Sequence, residues 1–184
     1  MKALKWNIAM VGATGVGKTS LVRRYVEDVF TPDFRPTMGV QVTKRVVEIR
    51  STEVTLVLWD LAGDDDFLWR KVPSTAASTQ DERTSRADAL ILVADLTRRT
   101  TLEQAILRQE RIALDKRSRY LPEVPFILAL NKSDVSRKEF SEGDARGIVP
   151  GWRIVSTSAK TGASVAGMFE DVAVTLLDLS EEEE

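Results

Sequence analysis

Short apolar runs and helix-period stretches take turns along this chain. Trp6–Val11 is apolar inside a first predicted strand, Lys5–Val11, and Lys18–Glu27 follows as a helix. Val29–Gly39, VFTPDFRPTMG, carries two prolines and no periodicity and reads as a loop. Val40–Arg50 alternates through Val40 and Val42, then through Val46 and Ile49 after a shift. Ser51-Thr52 can turn it into a second extended run, Val54–Asp60, making a hairpin. The stretch that follows, LAGDDDFLWRKVPSTAASTQDERTS, is polar and poorly periodic. Ala89–Ala94 and Val124–Leu130 read as strands buried on both faces. Between them Leu102, Ile106, Ile112 and Leu114 form an imperfect helical stripe. A short helical stretch, Ser141–Gly147, is interrupted by Gly143, and Trp152–Ser156 is the last predicted strand. Ser164–Leu179 is a final amphipathic helix with Val165, Met168, Phe169, Val172 and Leu176 on one face.

Strands alternating with helices predict an α/β fold, a mostly parallel sheet with helices on both faces. Ligands of such sheets sit at the C-terminal ends of the strands, which is where each motif below falls. The length of 184 residues fits one domain, expected over 1–180, with residues 181–184 as a solvated, disordered acidic tail.

Composition removes several function classes. Basic and acidic residues nearly cancel, 26 against 28, so no global field favours nucleic acid or an anionic membrane. The absence of cysteine excludes a disulfide framework, a thiolate metal site, a thiol nucleophile and a prenyl or palmitoyl anchor. With no histidine either, general-base work falls to carboxylates or to a positioned water. The first strand leads into the glycine-rich turn too early for a signal peptide, and the apolar runs are far short of a membrane span. A soluble protein of a reducing compartment is expected.

GATGVGKTS, Gly12 to Ser20, lies between the first strand and the first helix and fits the phosphate-cradling pattern G-x-x-x-x-G-K-[ST]. Gly12, Gly15 and Gly17 let the backbone approach a ligand, successive N–H groups form an anion nest, and the following helix adds its positive end. Lys18 can reach the outer phosphates, and the Thr19 hydroxyl can ligate Mg²⁺. In WDLAG, Trp59 to Gly63, Asp60 ends a strand as a Walker-B aspartate does, and Gly63 offers an unobstructed N–H to a γ-phosphate. Alone, such an aspartate is an ordinary cap or turn residue; beside a phosphate loop the metal reading is better. Thr37 can complete the metal shell with its hydroxyl and meet the γ-phosphate with its N–H, so that loss of that phosphate releases the loop.

NKSD, Asn131 to Asp134, discriminates between bases. Guanine presents its ring N–H and exocyclic NH₂ side by side, and the Asp134 carboxylate can accept both. A buried pair of this kind supports ~10⁴-fold selectivity or more, because the wrong base leaves the carboxylate unpaired. Asn131 would tie this loop to the phosphate loop, the Lys132 stem would lie over the base, and Ser158, Ala159 and Lys160 would present N–H groups to the guanine carbonyl.

With these motifs in order, the chain from Lys5 to about Leu179 resembles a small GTPase of the Ras superfamily, with PTMGV and Trp59-Asp60 similar to the Rab-like branch. The resemblance implies a three-layer P-loop NTPase sandwich of six strands, mostly parallel with one antiparallel edge strand, and about five helices. It implies phosphate contacts from Gly12, Ala13, Thr14, Gly15, Val16, Gly17, Lys18, Thr19 and Ser20, and magnesium held by Thr19 and Thr37 with Asp60 behind them. Phe30 falls where the family sets an aromatic on the edge of guanine, and Phe34 where one lids the phosphates. Lys18, Thr37, Gly63 and position 64 would carry the chemistry. Effectors, exchange factors and GTPase-activating proteins would meet residues 30–45 and 61–86. A monomer without nucleic-acid binding or a lipid anchor of its own is expected, cytoplasmic and recruited to membranes through partners.

Two positions and one segment depart from the family. Asp64 stands where a glutamine orients water; a carboxylate ~5 Å from the γ-phosphate repels each unit charge by about 3 kcal/mol at an effective dielectric near 20. Slow intrinsic hydrolysis follows, or a GTP-binding module with negligible turnover. Thr14 is a small hydroxyl residue near the γ-phosphate, which the Rab-like pattern tolerates. Phe67–Arg86 is longer than the usual second switch by roughly eight residues, and Phe67, Leu68 and Trp69 are candidate partner anchors. An ATP-dependent P-loop enzyme is the third reading; NKSD and SAK argue against it.

Overall fold

The computed structural model describes residues 4–33, 35–63, 70, 72, 87–114 and 124–182. Each predicted strand forms: β1 (Leu4–Gly12), β2 (Val40–Ile49), β3 (Thr52–Leu61), β4 (Ala89–Asp95), β5 (Phe126–Asn131) and β6 (Ile154–Ser156). They hydrogen-bond in the order β2-β3-β1-β4-β5-β6. Only the β2–β3 pair is antiparallel. The described residues hold four α-helices rather than about five: α1 (Lys18–Glu27), α2 (Arg99–Ala113), α3 (Glu142–Ile148) and α4 (Val165–Glu182).

Period-two alternation divides the central strands between two cores. Ile8 and Met10 of β1, Ile91 and Val93 of β4 and Ile127 and Ala129 of β5 pack with α1 and α4. Their neighbours Ala9, Val11, Leu90, Leu92, Leu128 and Leu130 pack with α2 and α3 on the other side. This is the three-layer arrangement expected of strands apolar on both faces.

The ends of several elements differ from the sequence reading. The hairpin turns on Arg50-Ser51, not Ser51-Thr52: Ile49 faces Thr52, and Arg50 and Ser51 have φ of 48° and 66°. A two-residue loop matched to strand twist demands positive φ at both positions, and here non-glycine residues supply it. On β2 the expected apolar positions divide: Val40 and Ile49 pack on the cores as expected, whereas Val42 and Val46 are exposed and Val47 takes an inward place. Leu114 is exposed at the end of α2 instead of extending its apolar stripe. Ser141 stands outside α3 as its N-cap in a capping box with Asp144, so Gly143 falls in the first turn and does not interrupt the helix. Only Ile154–Ser156 pairs with β5, and Trp152 instead meets Phe126 edge-on at 4.8 Å. α4 runs through Glu182, into the acidic run expected to be disordered.

Parallel pairing brings the strand ends to one rim. Met10 lies beside Asp60, Gly12 beside Val93, Asp95 beside Asn131, and Leu130 beside Ser156. Among the described residues no helix is long and apolar enough to cross a membrane.

Candidate functional site

The phosphate loop leaves β1 at Gly12, where a side chain would overlap the Val93 carbonyl of the neighbouring strand. Gly17 caps α1 with φ of 101°, and a Cβ there would overlap the Asn131 side-chain amide. Side-chain donors hold the loop's carbonyls. Lys18 Nζ, buried, donates to Gly12 O at 2.8 Å and Ala13 O at 3.0 Å. Arg98 Nη2 donates to Thr14 O at 3.1 Å, and Asn131 Nδ2 to Val16 O at 2.9 Å. In a trans peptide the next N–H points the opposite way, so these bonds turn the amides of Ala13, Thr14, Gly15 and Gly17 away from the donors. No acidic residue lies in the first turn of α1 to compete for an anion at its positive end.

Beside this loop three oxygens converge. Thr19 Oγ1 lies 2.7 Å from Thr37 Oγ1 and donates to Asp60 Oδ2 at 2.5 Å. Burial raises the Asp60 pKa, while hydrogen bonds from Thr19 and Thr37 and the Lys18 charge oppose the rise. Asp60 Oδ1 is buried with no hydrogen-bond partner among the described residues. Two hydroxyls and an under-satisfied carboxylate are hard oxygen donors, the kind that Mg²⁺ takes. Gly63 packs on the phosphate loop so closely that a Cβ would lie 2.5 Å from Ala13 C and 2.7 Å from Thr14 Cα. Arg108 Nη2 holds the Gly63 carbonyl at 2.8 Å.

A cleft of about 490 Å³ joins these parts, lined among others by Thr14, Lys18, Thr19, Ser20, Phe30, Thr37, Gly63 and Lys132. Phe30 also packs against the α1–α4 core, so it both anchors its loop and lines the cleft. Ala13 and Val16 are buried, contributing backbone to the loop.

At the far end of the rim, Asn131 is almost fully buried, and its Oδ1 accepts from Ala159 N at 3.2 Å and Thr157 Oγ1 at 3.5 Å. Together with its bond to Val16 O, this joins the glycine-rich loop after β1 and the loops after β5 and β6 through one side chain. Asp134 Oδ1 accepts from Ser158 Oγ at 2.6 Å. The expected row of three N–H groups at Ser158, Ala159 and Lys160 is reduced: Ser158 N donates to Ala163 O and Ala159 N to Asn131, leaving Lys160 N–H. The first two are consumed in closing the loop.

Sequence reasoning missed Asp95, the last residue of β4. It is fully buried and takes Lys132 Nζ at 2.6 Å, Arg98 Nε at 3.0 Å and Thr97 N at 2.9 Å. Burial pushes its carboxyl up, but hydrogen bonds from Lys132 and Thr97 and the Lys132 charge outweigh that and hold it below the usual range. An ionisable residue closing a wholly apolar strand was the available signal. Phe34, Asp64 and the candidate anchors Phe67, Leu68 and Trp69 lie outside the described residues, as does most of 67–86.

The family model described as "Ras family" matches residues 7–178. The chain is 27% identical to the Ypt/Rab-type GTPase Rab7 of Gibberella zeae over 191 residues, covering all of this chain and 87% of that protein. It is 30% identical over 168 residues to Ras-related protein ralB-A of Xenopus laevis and to Ras-related protein Ral-B of Mus musculus, covering 90% of this chain and 76% of each relative. Matches over nearly the whole length agree with the six-stranded sheet and its loop-bearing rim. The chain belongs to the Ras family and is a Rab-like small GTPase of the Ras superfamily.

Proposed function

We propose that residues 1–180 form one guanine-nucleotide switch domain that binds GTP or GDP with Mg²⁺ and hydrolyses GTP slowly without a partner. The observation carrying this reading is the Asn131 side chain, which bonds Val16 O of the phosphate loop and Ala159 N of the loop after β6. A base recognised by Asp134 and a polyphosphate held by Gly12–Ser20 would then belong to one ligand. Family membership supports the same chemistry, since Ras-family GTPases bind GTP and GDP and typically Mg²⁺.

In this reading the amides of the phosphate loop and Lys18 bind the phosphates. Thr19 and Thr37 hold the metal directly, and Asp60 accepts from the Thr19 hydroxyl behind it. Bound Mg²⁺ supplies neutralising charge to the phosphate oxygens. Water attacks the γ-phosphorus and gives a proton to a γ-phosphate oxygen, the bond from phosphorus to the β–γ bridging oxygen breaks, and that oxygen leaves with the electron pair on GDP. Lys18 and the loop amides stabilise the charge gathering there. Thr37 and Gly63 sense the γ-phosphate through their N–H groups. Asp64 cannot donate to the phosphate as a glutamine amide does, and its charge repels the negative charge of the γ-phosphate. A partner supplying an arginine restores ~10³–10⁵-fold in rate. The chain acts as a monomer, cytoplasmic, meeting effectors and regulators through 30–45 and 61–86.

The nucleotide released on denaturing the purified protein tests this directly: GDP or GTP is expected, and adenosine nucleotides overturn it. Single-turnover hydrolysis of wild type against Asp64→Gln separates a slow GTPase from a binding module that uses the same site. A faster variant supports the glutamine argument; an unchanged rate removes it.

A further inference from the structure

Arg24, in the last turn of α1, reaches across to the loop that follows β6. Its Nε donates to Ala159 O and its Nη2 to Lys160 O, both at 2.8 Å. Nη1 completes the fork on Asp28, at 3.0 Å from its carbonyl and 2.8 Å from Oδ1. The planar guanidinium is thereby fixed on both sides, and the Arg24 side chain is only 17% exposed.

The backbone donors of residues 158–163 can be counted. Ser158 N goes to Ala163 O, Ala159 N to Asn131 Oδ1, Thr161 N to Ser158 Oγ, Gly162 N to Ser158 O, and Ala163 N to Thr161 Oγ1. Lys160 N–H alone has no partner among the described residues. Lys160 is exposed, so this one amide of the loop remains open to an acceptor from outside, water or a ligand. Arg24 sets its direction. Peptide C=O and N–H point opposite ways in the trans form, so holding Ala159 O toward α1 turns Lys160 N–H away from it. Ser158, which begins the same turn, donates to Asp134 Oδ1 and so ties the free amide to the carboxylate.

We propose that Arg24 is a positioning residue for base selection: through the carbonyls of Ala159 and Lys160 it aims Lys160 N–H at the oxygen on C6 of guanine. The proposal rests on the guanine reading of Asn131–Asp134. With Asp134 accepting from the ring N–H and the 2-amino group, the base meets an acceptor–donor pattern along one edge. The amino group on C6 of adenine would confront a donor with a donor, so correct aim rejects adenine as well as accepting guanine. Without the guanidinium, two carbonyls lose their partners and the 159–160 peptide is free to rotate.

The test is displacement of a fluorescent GDP analogue by GDP and by 2-aminopurine riboside diphosphate, which keeps the 2-amino group and lacks the oxygen on C6. Wild type, Arg24→Ala and Arg24→Lys are compared, with thermal unfolding as a check on folding. Arg24→Ala is expected to weaken GDP roughly tenfold and to leave the 2-aminopurine nucleotide within about twofold. Arg24→Lys should fall between, because one ammonium holds one carbonyl, and it carries the test if the alanine variant does not fold. Equal losses for both nucleotides make Arg24 a structural tie only and overturn the proposal, as does no loss for either. If wild type itself binds ADP as well as GDP, the guanine reading has failed, and that failure is visible before any variant is made.

Discussion

Asn131 donates its side-chain amide to the Val16 carbonyl at 2.9 Å, joining residues 115 apart in sequence. Its oxygen takes the Ala159 N–H at 3.2 Å. One buried amide thus sets the distance between the base-side loops and the phosphate loop. Asn131→Ala leaves a buried carbonyl and a buried N–H without their partner, each costing about 1–3 kcal/mol. The unfolding midpoint should fall by at least about 4 °C, and GDP should bind at least about tenfold more weakly. Thermal melts and a GDP titration check both; unchanged GDP affinity would show that the loops do not act together.

Asp60 is held by Thr19 and buried beside Lys18, with one carboxylate oxygen unpartnered among the described residues. Asp60→Asn keeps the size and removes the charge. Wild type should release GDP faster when Mg²⁺ is chelated, and in the variant that acceleration should shrink by about tenfold. Dissociation rates with and without chelator give the ratio. An undiminished ratio would place the metal elsewhere.

Gly63→Ala drives a Cβ into the phosphate-loop backbone, 2.5 Å from Ala13 C and 2.7 Å from Thr14 Cα. That backbone cannot yield as a flexible side chain does, so a loss of about 1–3 kcal/mol is expected, with weaker GTP binding. Gly147→Ala is the contrasting case: nothing lies within 4 Å of a Cβ there, and the position is helical. It should be neutral or stabilising by up to about 1 kcal/mol in denaturant unfolding.

The parts of this architecture that announce themselves in sequence are local. Gly12 to Ser20 shows strand, turn and helix within a few residues, and the apolar run at Ala89–Ala94 marks a strand buried on both faces. The hairpin turn was displaced because Arg50 and Ser51 adopt left-handed angles that their side chains do not advertise. Val42 and Val46 obeyed the alternation rule on the wrong face, since β2 is an edge strand whose hydrophobic count does not say which side is covered. Arg24 and Asp95 were illegible for another reason. Their bonds to Ala159 and Lys132 span 135 and 37 residues, and no periodicity or short motif records a tertiary hydrogen bond.

Asp95 carries a pH prediction. Its folded-state pKa lies below the ordinary carboxylate value, so its stabilisation is present above the unfolded value of about 3.9 and is lost as pH falls through the folded one. Lys132 and Arg98 are part-exposed, at 36% and 43%, which screens the pairs and keeps the contribution toward the low end for a buried ion pair, about 1–3 kcal/mol. Asp95→Asn should be less stable than wild type by that amount at neutral pH, with the gap closing below about pH 4. Denaturant unfolding at several pH values measures it. A gap that widens in acid would contradict the assignment.

The central claim is that base-side loops and phosphate loop enclose one guanine nucleotide, and competition for that site tests it most directly. Fluorescent GDP bound to the full chain with Mg²⁺ is displaced by GDP, GTP, ADP and ATP in turn. The account predicts that the guanosine nucleotides compete ~10⁴-fold or more better than the adenosine ones. Adenosine nucleotides competing equally would contradict it.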